Sequence, residues 1–310
     1  MLRRLRQLVV VLFAVTLLTF LSLNLLGDPV KSILGPLAAD PAARAEARAE
    51  LRLDEPIPTR YVRWLGDALQ GDLGRSFQTR QSVSTILGER IPVTVFLLVY
   101  ALVLALALAV PIAIFSAYRA DGWFDRSATT GSFALISVPD FALGVILLYF
   151  LAVRSDVFPA RYIDDTFVDR LHSLFLPALT LALPASATYM RLLRTDLIKT
   201  LQDDFITTAR AKGMPTWHIL LRHALRPSSF SLVTVVGLTI GALLGGTLVV
   251  ENIFSIPGLG KAVVDAVFRK DYLVVQAVVL IIATTYVVVN FLVDGIYALL
   301  DPRVRSVGTT

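Results

Sequence analysis

Apolar residues in this chain neither alternate with polar ones nor form the narrow stripes of helices in a soluble domain. They collect in six long runs, 7–27, 91–118, 127–153, 171–190, 227–250 and 272–293, almost free of ionisable groups. A helix crossing roughly 30 Å of hydrocarbon needs about 20 apolar residues, and each run meets that length. The pattern predicts an all-α polytopic membrane protein with six transmembrane helices. A membrane barrel would instead show alternating strands of about ten residues, and a single-anchor protein would show one run. Charged residues make up only 17% of the 310, against roughly 25% in a soluble domain, so a soluble enzyme is excluded.

The charges between the runs orient the helices. Arg3, Arg4 and Arg6 precede the first run, and residues 191–226 hold seven basic and three acidic groups. Residues 28–90 hold nine of each sign. By the positive-inside rule both termini and the 191–226 loop are cytoplasmic, and the 28–90, 154–170 and 251–271 segments lie outside. The formal charge of +5 is thus a topology signal and not a sign of nucleic-acid binding. The first run begins like a signal peptide. Its apolar part exceeds the roughly 7–15 residues of such a segment and no small-x-small cleavage site follows, so an uncleaved anchor is expected. The expected organisation is an anchor helix at 1–27, an extracytoplasmic segment at 28–93, a five-helix core at 94–300 and a cytoplasmic tail at 301–310.

Outside the membrane, DPAARAEARAELRLDEP reads as a short solvated helix ending before Pro56. In TRYVRWLGDALQGDLGRSF, Val62, Leu65 and Leu69 fall at helical spacing, with Tyr61 and Trp64 available for the membrane interface. That helix either caps the bundle or docks an external partner. In the fifth run, Gly237, Gly241 and Gly245 recur every four residues beside Gly246. They offer a smooth face for close helix contact, internal or between subunits. Pro111, Pro177 and Pro184 fall inside runs, where membrane helices tolerate proline.

The catalytic inventory is thin. The chain has no cysteine, which excludes thiolate metal sites and cysteine catalysis. No G-x-x-x-x-G-K-[ST] occurs: in PGLGKA, Ser255 stands at the first glycine position and Ala262 at the Ser/Thr position. His218 and His223 are not an H-E-x-x-H pair. Asp140 and Asp294 are the acids in or near the runs. Asp140 follows Pro139, where the third helix can break, and an intramembrane carboxylate is a candidate pathway residue. It has no basic partner in another run, so it makes a poor proton relay.

The 191–226 loop carries more information. Asp203 and Asp204 suit the start of a helix, and Arg210 and Lys212 its end. Gly213 can take positive φ past that end, and Pro215 suits the start of a second helix, TWHILLRHAL, running to Pro227. A helix–glycine–helix element is predicted on the cytoplasmic face. Its apolar face of Trp217, Leu220, Leu221 and Leu225 must cover the chain's own bundle or a partner.

The segment FITTARAKGMPTWHILLRHALRPSSF resembles the cytoplasmic signature loop of the membrane subunits of binding-protein-dependent ABC importers, whose consensus is E-A-A-x-x-x-G-x9-I-x-L-P. Gly213 matches the central glycine. Thr207, Thr208 and Ala209 take the E-A-A places, and His223, Leu225 and Arg226 the I-x-L-P places, with Pro227 one residue late. Thr207 in place of glutamate and Arg226 in place of proline depart from the consensus and resemble the peptide/nickel branch. RYVRWLGDALQGDLGRSF, SVPDFALGVILL, VVENIFSIPGLGKAVVDAVFRKDYLVVQ and VNFLVDGIYALLDPRVR extend the resemblance over nearly the whole chain, toward the first permease of dipeptide/oligopeptide importers.

The resemblance implies a type I ABC importer permease fold in a bacterial inner membrane. It implies a heterodimer with a second permease, two ATPase subunits and an extracytoplasmic substrate-binding protein. ATP and Mg would sit on the ATPases, and this subunit would hold no cofactor or metal and bind no nucleic acid. Coupling to the ATPases is expected through Thr207, Thr208, Ala209, Lys212, Gly213, Trp217, His223 and Leu225. Peptide is the implied cargo. Nickel, haem and glutathione remain alternatives within the branch, and an ion-coupled carrier or channel outside it.

Overall fold

The computed structural model describes residues 2–25, 30, 40–50, 53–76 and 78–300. The expected tail at 301–310 lies outside the described residues, as do parts of the 28–93 segment. No β-sheet occurs among the described residues; Arg75 and Ser82 form an isolated antiparallel bridge. The helices are α1 (Leu2–Leu25), α2 (Pro41–Glu50), α3 (Ile57–Leu69), α4 (Val83–Tyr118), α5 (Trp123–Ser137), α6 (Asp140–Arg154), α7 (Phe167–Thr200), α8 (Asp204–Ala211), α9 (Thr216–Ile253), α10 (Leu259–Phe268) and α11 (Tyr272–Leu300). The described residues of all six apolar runs are helical, apart from the break at Val138 and Pro139. Helices α4, α7, α9 and α11 are each long and apolar enough to cross a bilayer, and α5 with α6 is an apolar pair bent by 102°, a broken span or a re-entrant loop. The bend falls at Pro139, whose extended backbone (φ −61, ψ 142) ends α5 and opens α6, as the proline predicts.

The chain divides into two compact units, residues 1–94 with 257–288 and residues 95–256 with 289–310. In the first, α3 packs on α1 through an aromatic cluster. The Tyr61 ring lies 5.9 Å from Phe13 and 5.5 Å from Phe20, and its hydroxyl pairs with Thr16 Oγ1 at 2.7 Å. Tyr61 is therefore a buried anchor and not an interface-belt residue, whereas Ile57, Val62 and Leu69 are the exposed large apolar residues of α3. A polar side chain inside an apolar contact needs a partner, and Thr16 supplies it. Elsewhere in this unit Val83 and Leu87 of α4 pack against Leu259, Ala262 and Ala266 of α10 and Val274, Ala277 and Val278 of α11. The turn before α4 is latched to the start of α11: Ser76 Oγ donates to buried Asp271, and Gln78 Nε2 donates to the Arg269 carbonyl at 2.9 Å.

The second unit is built on α7. Ala105, Ala109, Ala113 and Ala117 form a row of small residues along α4 and share one buried cluster with Tyr189, Leu193 and Leu197 of α7. Small side chains let helix backbones approach closely where lipid gives no hydrophobic drive. Helix α7 stays continuous through Pro177 and Pro184. Helix α9 stays continuous through Pro227, which does not end it as the sequence suggests. Proline loses an N–H and presses on the carbonyl four residues back. Here the preceding turn, Ile219–Ala224, is π-helical, with a wider i→i+5 ladder. Ser228 and Ser229 hydroxyls then donate to the Ala224 and Leu225 carbonyls at 2.9 and 2.6 Å.

Candidate functional site

The segment between α7 and α9 folds as the residue pattern predicts, on a smaller scale. Because α7 runs to Thr200 and α9 starts at Thr216, the free connection is far shorter than 191–226. Asp203 adopts the extended backbone of an N-cap and Asp204 places a carboxylate in the first turn of α8. Arg210 places a cation in its last turn, opposite the helix dipole's negative end. Gly213 then takes φ +74. Its N–H donates to the Arg210 carbonyl at 2.9 Å, and the Met214 N–H reaches the Ala209 carbonyl at 3.3 Å. Those two bonds make a Schellman motif, which needs the left-handed residue that glycine supplies. Pro215 caps the next helix, its carbonyl accepting from the His218 N–H at 3.0 Å.

Burial divides this element into an anchored face and a free one. Ile206 and Ala209 of α8 and Ile219 and Ala224 of α9 are buried in the same cluster as Tyr189, Leu193 and Leu197. Thr207, Thr208, Lys212 and Gly213 are exposed. Trp217 is 64% exposed and Leu221 52%, whereas Leu220 is buried and Leu225 packs on the core. The apolar face expected of Trp217, Leu220, Leu221 and Leu225 thus splits, one half anchoring the element and the other projecting outward. His223 is half-buried, its ring 5.4 Å from that of His218. Among the expected coupling residues, Ala209 and Leu225 hold the element down, and Thr207, Thr208, Lys212 and Trp217 face away from the core. Phe205, 46% exposed, joins the outward set and was not singled out from the sequence. Beneath the element lies a cavity of about 560 Å³ lined by residues including Tyr118, Leu201, Arg210, Met214 and Leu220.

An ion pair that the sequence reading passed over ties this end of the unit together. Arg194 of α7 donates through Nε and Nη2 to the two carboxylate oxygens of Asp125, which is 2% exposed. Asp125 Oδ2 also accepts the Asp121 N–H at 2.8 Å. The available signal was two opposite charges at the same-side ends of neighbouring spans.

The glycines of α9 behave differently from one another. Gly237 and Gly241 are buried within the unit. A Cβ at Gly245 would meet nothing within 4 Å, whereas one at Gly246 would lie 3.1 Å from Leu181 Cδ2 and 3.7 Å from Asp140 Oδ2. Of these two, Gly246 is therefore the one in close approach, against α7, and Gly245 borders open space. Asp140 is half-buried beside a cavity of about 200 Å³. Among the described residues no group of acids and histidines is spaced to hold a metal ion.

A bundle of long apolar helices carrying a helix–glycine–helix element is the architecture of a polytopic membrane protein. Residues 109–306 match the family described as binding-protein-dependent transport system inner membrane component, and residues 1–98 match its N-terminal region. The chain belongs to this family of ABC transporter permeases and is a multi-pass protein of the bacterial inner membrane. It is 36% identical over 308 residues to a probable peptide ABC transporter permease protein of Sinorhizobium fredii, covering 98% of each chain. It is 36% identical over 327 residues to a di/tripeptide transport system permease protein of Pseudomonas aeruginosa, covering 98% of this chain and 97% of that one. A crystal structure of an amino acid ABC transporter with histidines shares the fold, with a TM-score of 0.52 over 71% of this chain and 94% of that one at 16% identity.

Proposed function

We propose that this permease forms half of the translocation pathway of an ATP-driven peptide importer, beside a second, different permease. Two ATPase subunits engage the α8–α9 element from the cytoplasm, and an extracytoplasmic binding protein delivers the cargo. The observation that carries this reading is the two-sided build of that element. Ile206, Ala209 and Ile219 lock it into the core, while Thr207, Thr208, Lys212 and Trp217 are left free for a partner. A push on the free face is passed to α7 and α9 through Ile206, Ala209, Ile219 and Ala224, which are buried in one cluster with Tyr189, Leu193 and Leu197. ATP and Mg then act on the ATPases, and this chain contributes motion and a path. Peptide is favoured as cargo by the names of its relatives.

The test is uptake of labelled di- and tripeptides by a strain deleted for this permease, complemented with the wild-type chain or with Trp217→Ala. Wild-type complementation should restore uptake. Trp217→Ala should insert normally, lose co-purifying ATPase and lose uptake. Peptide uptake unchanged by the deletion would remove the peptide assignment. A Trp217→Ala chain that binds ATPase normally would remove the coupling assignment.

A further inference from the structure

The 200 Å³ cavity beside Asp140 lies where the break between α5 and α6 meets α7 and α9. Asp140 stands at the break between α5 and α6, Pro184 and Thr188 lie midway along α7, and Thr239 and Gly246 lie in the central turns of α9. The Asp140 carboxylate makes no hydrogen bond or ion pair among the described residues. Thr188 and Thr239 line the same cavity, and their hydroxyl protons are already committed. Thr188 Oγ1 donates to the Pro184 carbonyl at 3.2 Å, and Thr239 Oγ1 to the Val235 carbonyl at 2.7 Å. What these hydroxyls offer the cavity is lone pairs. Asp140, Thr188 and Thr239 thus make up the polar lining of the cavity, the carboxylate unpaired and the Thr239 hydroxyl shared with the neighbouring Tyr189 hydroxyl. Gly246 keeps the space open, since even a Cβ there would stand 3.7 Å from Asp140 Oδ2.

A half-buried carboxylate with no ion-pair partner, set beside hydroxyl lone pairs, favours a donor-rich cation over an anion or a neutral acceptor. We infer that this cavity is a transient subsite for the protonated α-amino group of the passing peptide, with Asp140 as counter-ion and Thr188 and Thr239 as the other two acceptors. An ammonium has three N–H donors and no acceptor, which matches this set. The inference rests on the reading of the chain as a peptide importer subunit. It adds a charge contact inside the membrane to whatever selection the binding protein makes. A weak contact suits a pathway, because a cargo held tightly there would not leave.

The experiment uses the complete complex in proteoliposomes, with both permeases, the ATPases and the binding protein. Initial uptake of trialanine and of N-acetyl-trialanine is measured, together with ATPase stimulation by the loaded binding protein. Any preference of the binding protein is common to wild type and variants and cancels in their ratio. Asp140→Asn, nearly isosteric, should cut trialanine uptake about tenfold or more. N-acetyl-trialanine uptake and ATPase stimulation should stay within about twofold of wild type. Thr239→Val should narrow the difference between the two peptides about threefold, and it carries the test if Asp140→Asn does not assemble. Equal loss of both peptides, or loss of neither, would overturn the subsite. Uptake of bare Ni²⁺ that depends on Asp140, with trialanine unaffected, would overturn it in favour of a metal ion. Absence of any peptide uptake by the wild type would instead defeat the peptide reading, and the subsite with it.

Discussion

Replacing Gly213 by valine isolates the contribution of one backbone conformation to coupling. Gly213 sits at φ +74, and a Cβ built there meets no atom within 4 Å. The penalty is therefore conformational and not steric crowding by neighbours. An L-residue held in the left-handed region costs about 1–2 kcal/mol, and a β-branched residue lies toward the upper end of the roughly 1–3 kcal/mol range for strained backbone. Asparagine tolerates this region and should cost least. The strained chain can relax by giving up the Gly213–Arg210 and Met214–Ala209 hydrogen bonds, which unwinds the end of α8. Ile206 and Ile219 remain buried, so the spans stay in place and the mutant inserts. At 1.4 kcal/mol per factor of ten, valine should weaken ATPase association by about 10- to 100-fold, alanine by about tenfold and asparagine by little. The assay is co-purification of ATPase subunits with each variant at matched membrane abundance, alongside peptide uptake. Valine behaving as wild type in both would show that the glycine turn transmits nothing. Asparagine as damaging as valine would show that the side chain, and not φ, is what the position cannot accept.

Three further outcomes are expected. Asp125→Ala leaves the Arg194 guanidinium without its carboxylate and should destabilise the unit by about 3–5 kcal/mol, read as a lower melting midpoint in detergent; Arg194→Met in the same chain should recover part of the loss, and full additivity would argue against the pairing. Gly246→Val should overpack against Leu181 at a cost of about 1–3 kcal/mol, while Gly245→Val should leave the isolated chain as stable as wild type, so that any loss of transport from the second substitution reports a partner helix. A cysteine at Ala45 or Asp164 should react with an impermeant thiol reagent added to intact cells and one at Thr216 should not, and labelling at Thr216 would reverse the assigned orientation.

Much of the architecture could be read from local chemistry. The presence and order of the long helices followed from the apolar runs, the α5–α6 break from Pro139, and the turn at Gly213 from dipole-matched charges around a glycine. Other features depend on what a residue meets across the fold. Tyr61 has the composition of an interface residue, and only the arrival of Phe13, Phe20 and Thr16 makes it a buried anchor. Ala209 and Thr207 stand two places apart in the family motif, yet one is buried and the other exposed. A motif records which residues are kept together and says nothing of which side each faces. Asp125 and Arg194 were counted as loop charges because the apolar runs stop short of the helix ends, and α5 and α7 extend past them. Pro227 reads as a terminator until the π turn before it is known.

That π turn alters how α9 must be read by anyone mapping its surface. One bulge admits an extra residue into the helical ladder, and at 3.6 residues per turn one residue is roughly 100° of rotation. A helical wheel drawn straight through 216–253 would therefore assign Trp217 and Gly241 an angular relation that the molecule does not have. Residues on the two sides of Ile219–Ala224 belong to two wheels with different zero angles. Cysteine-scanning or cross-linking data across this helix should show two periodic patterns with a phase jump between them, and a one-residue deletion within the π turn would bring them into step.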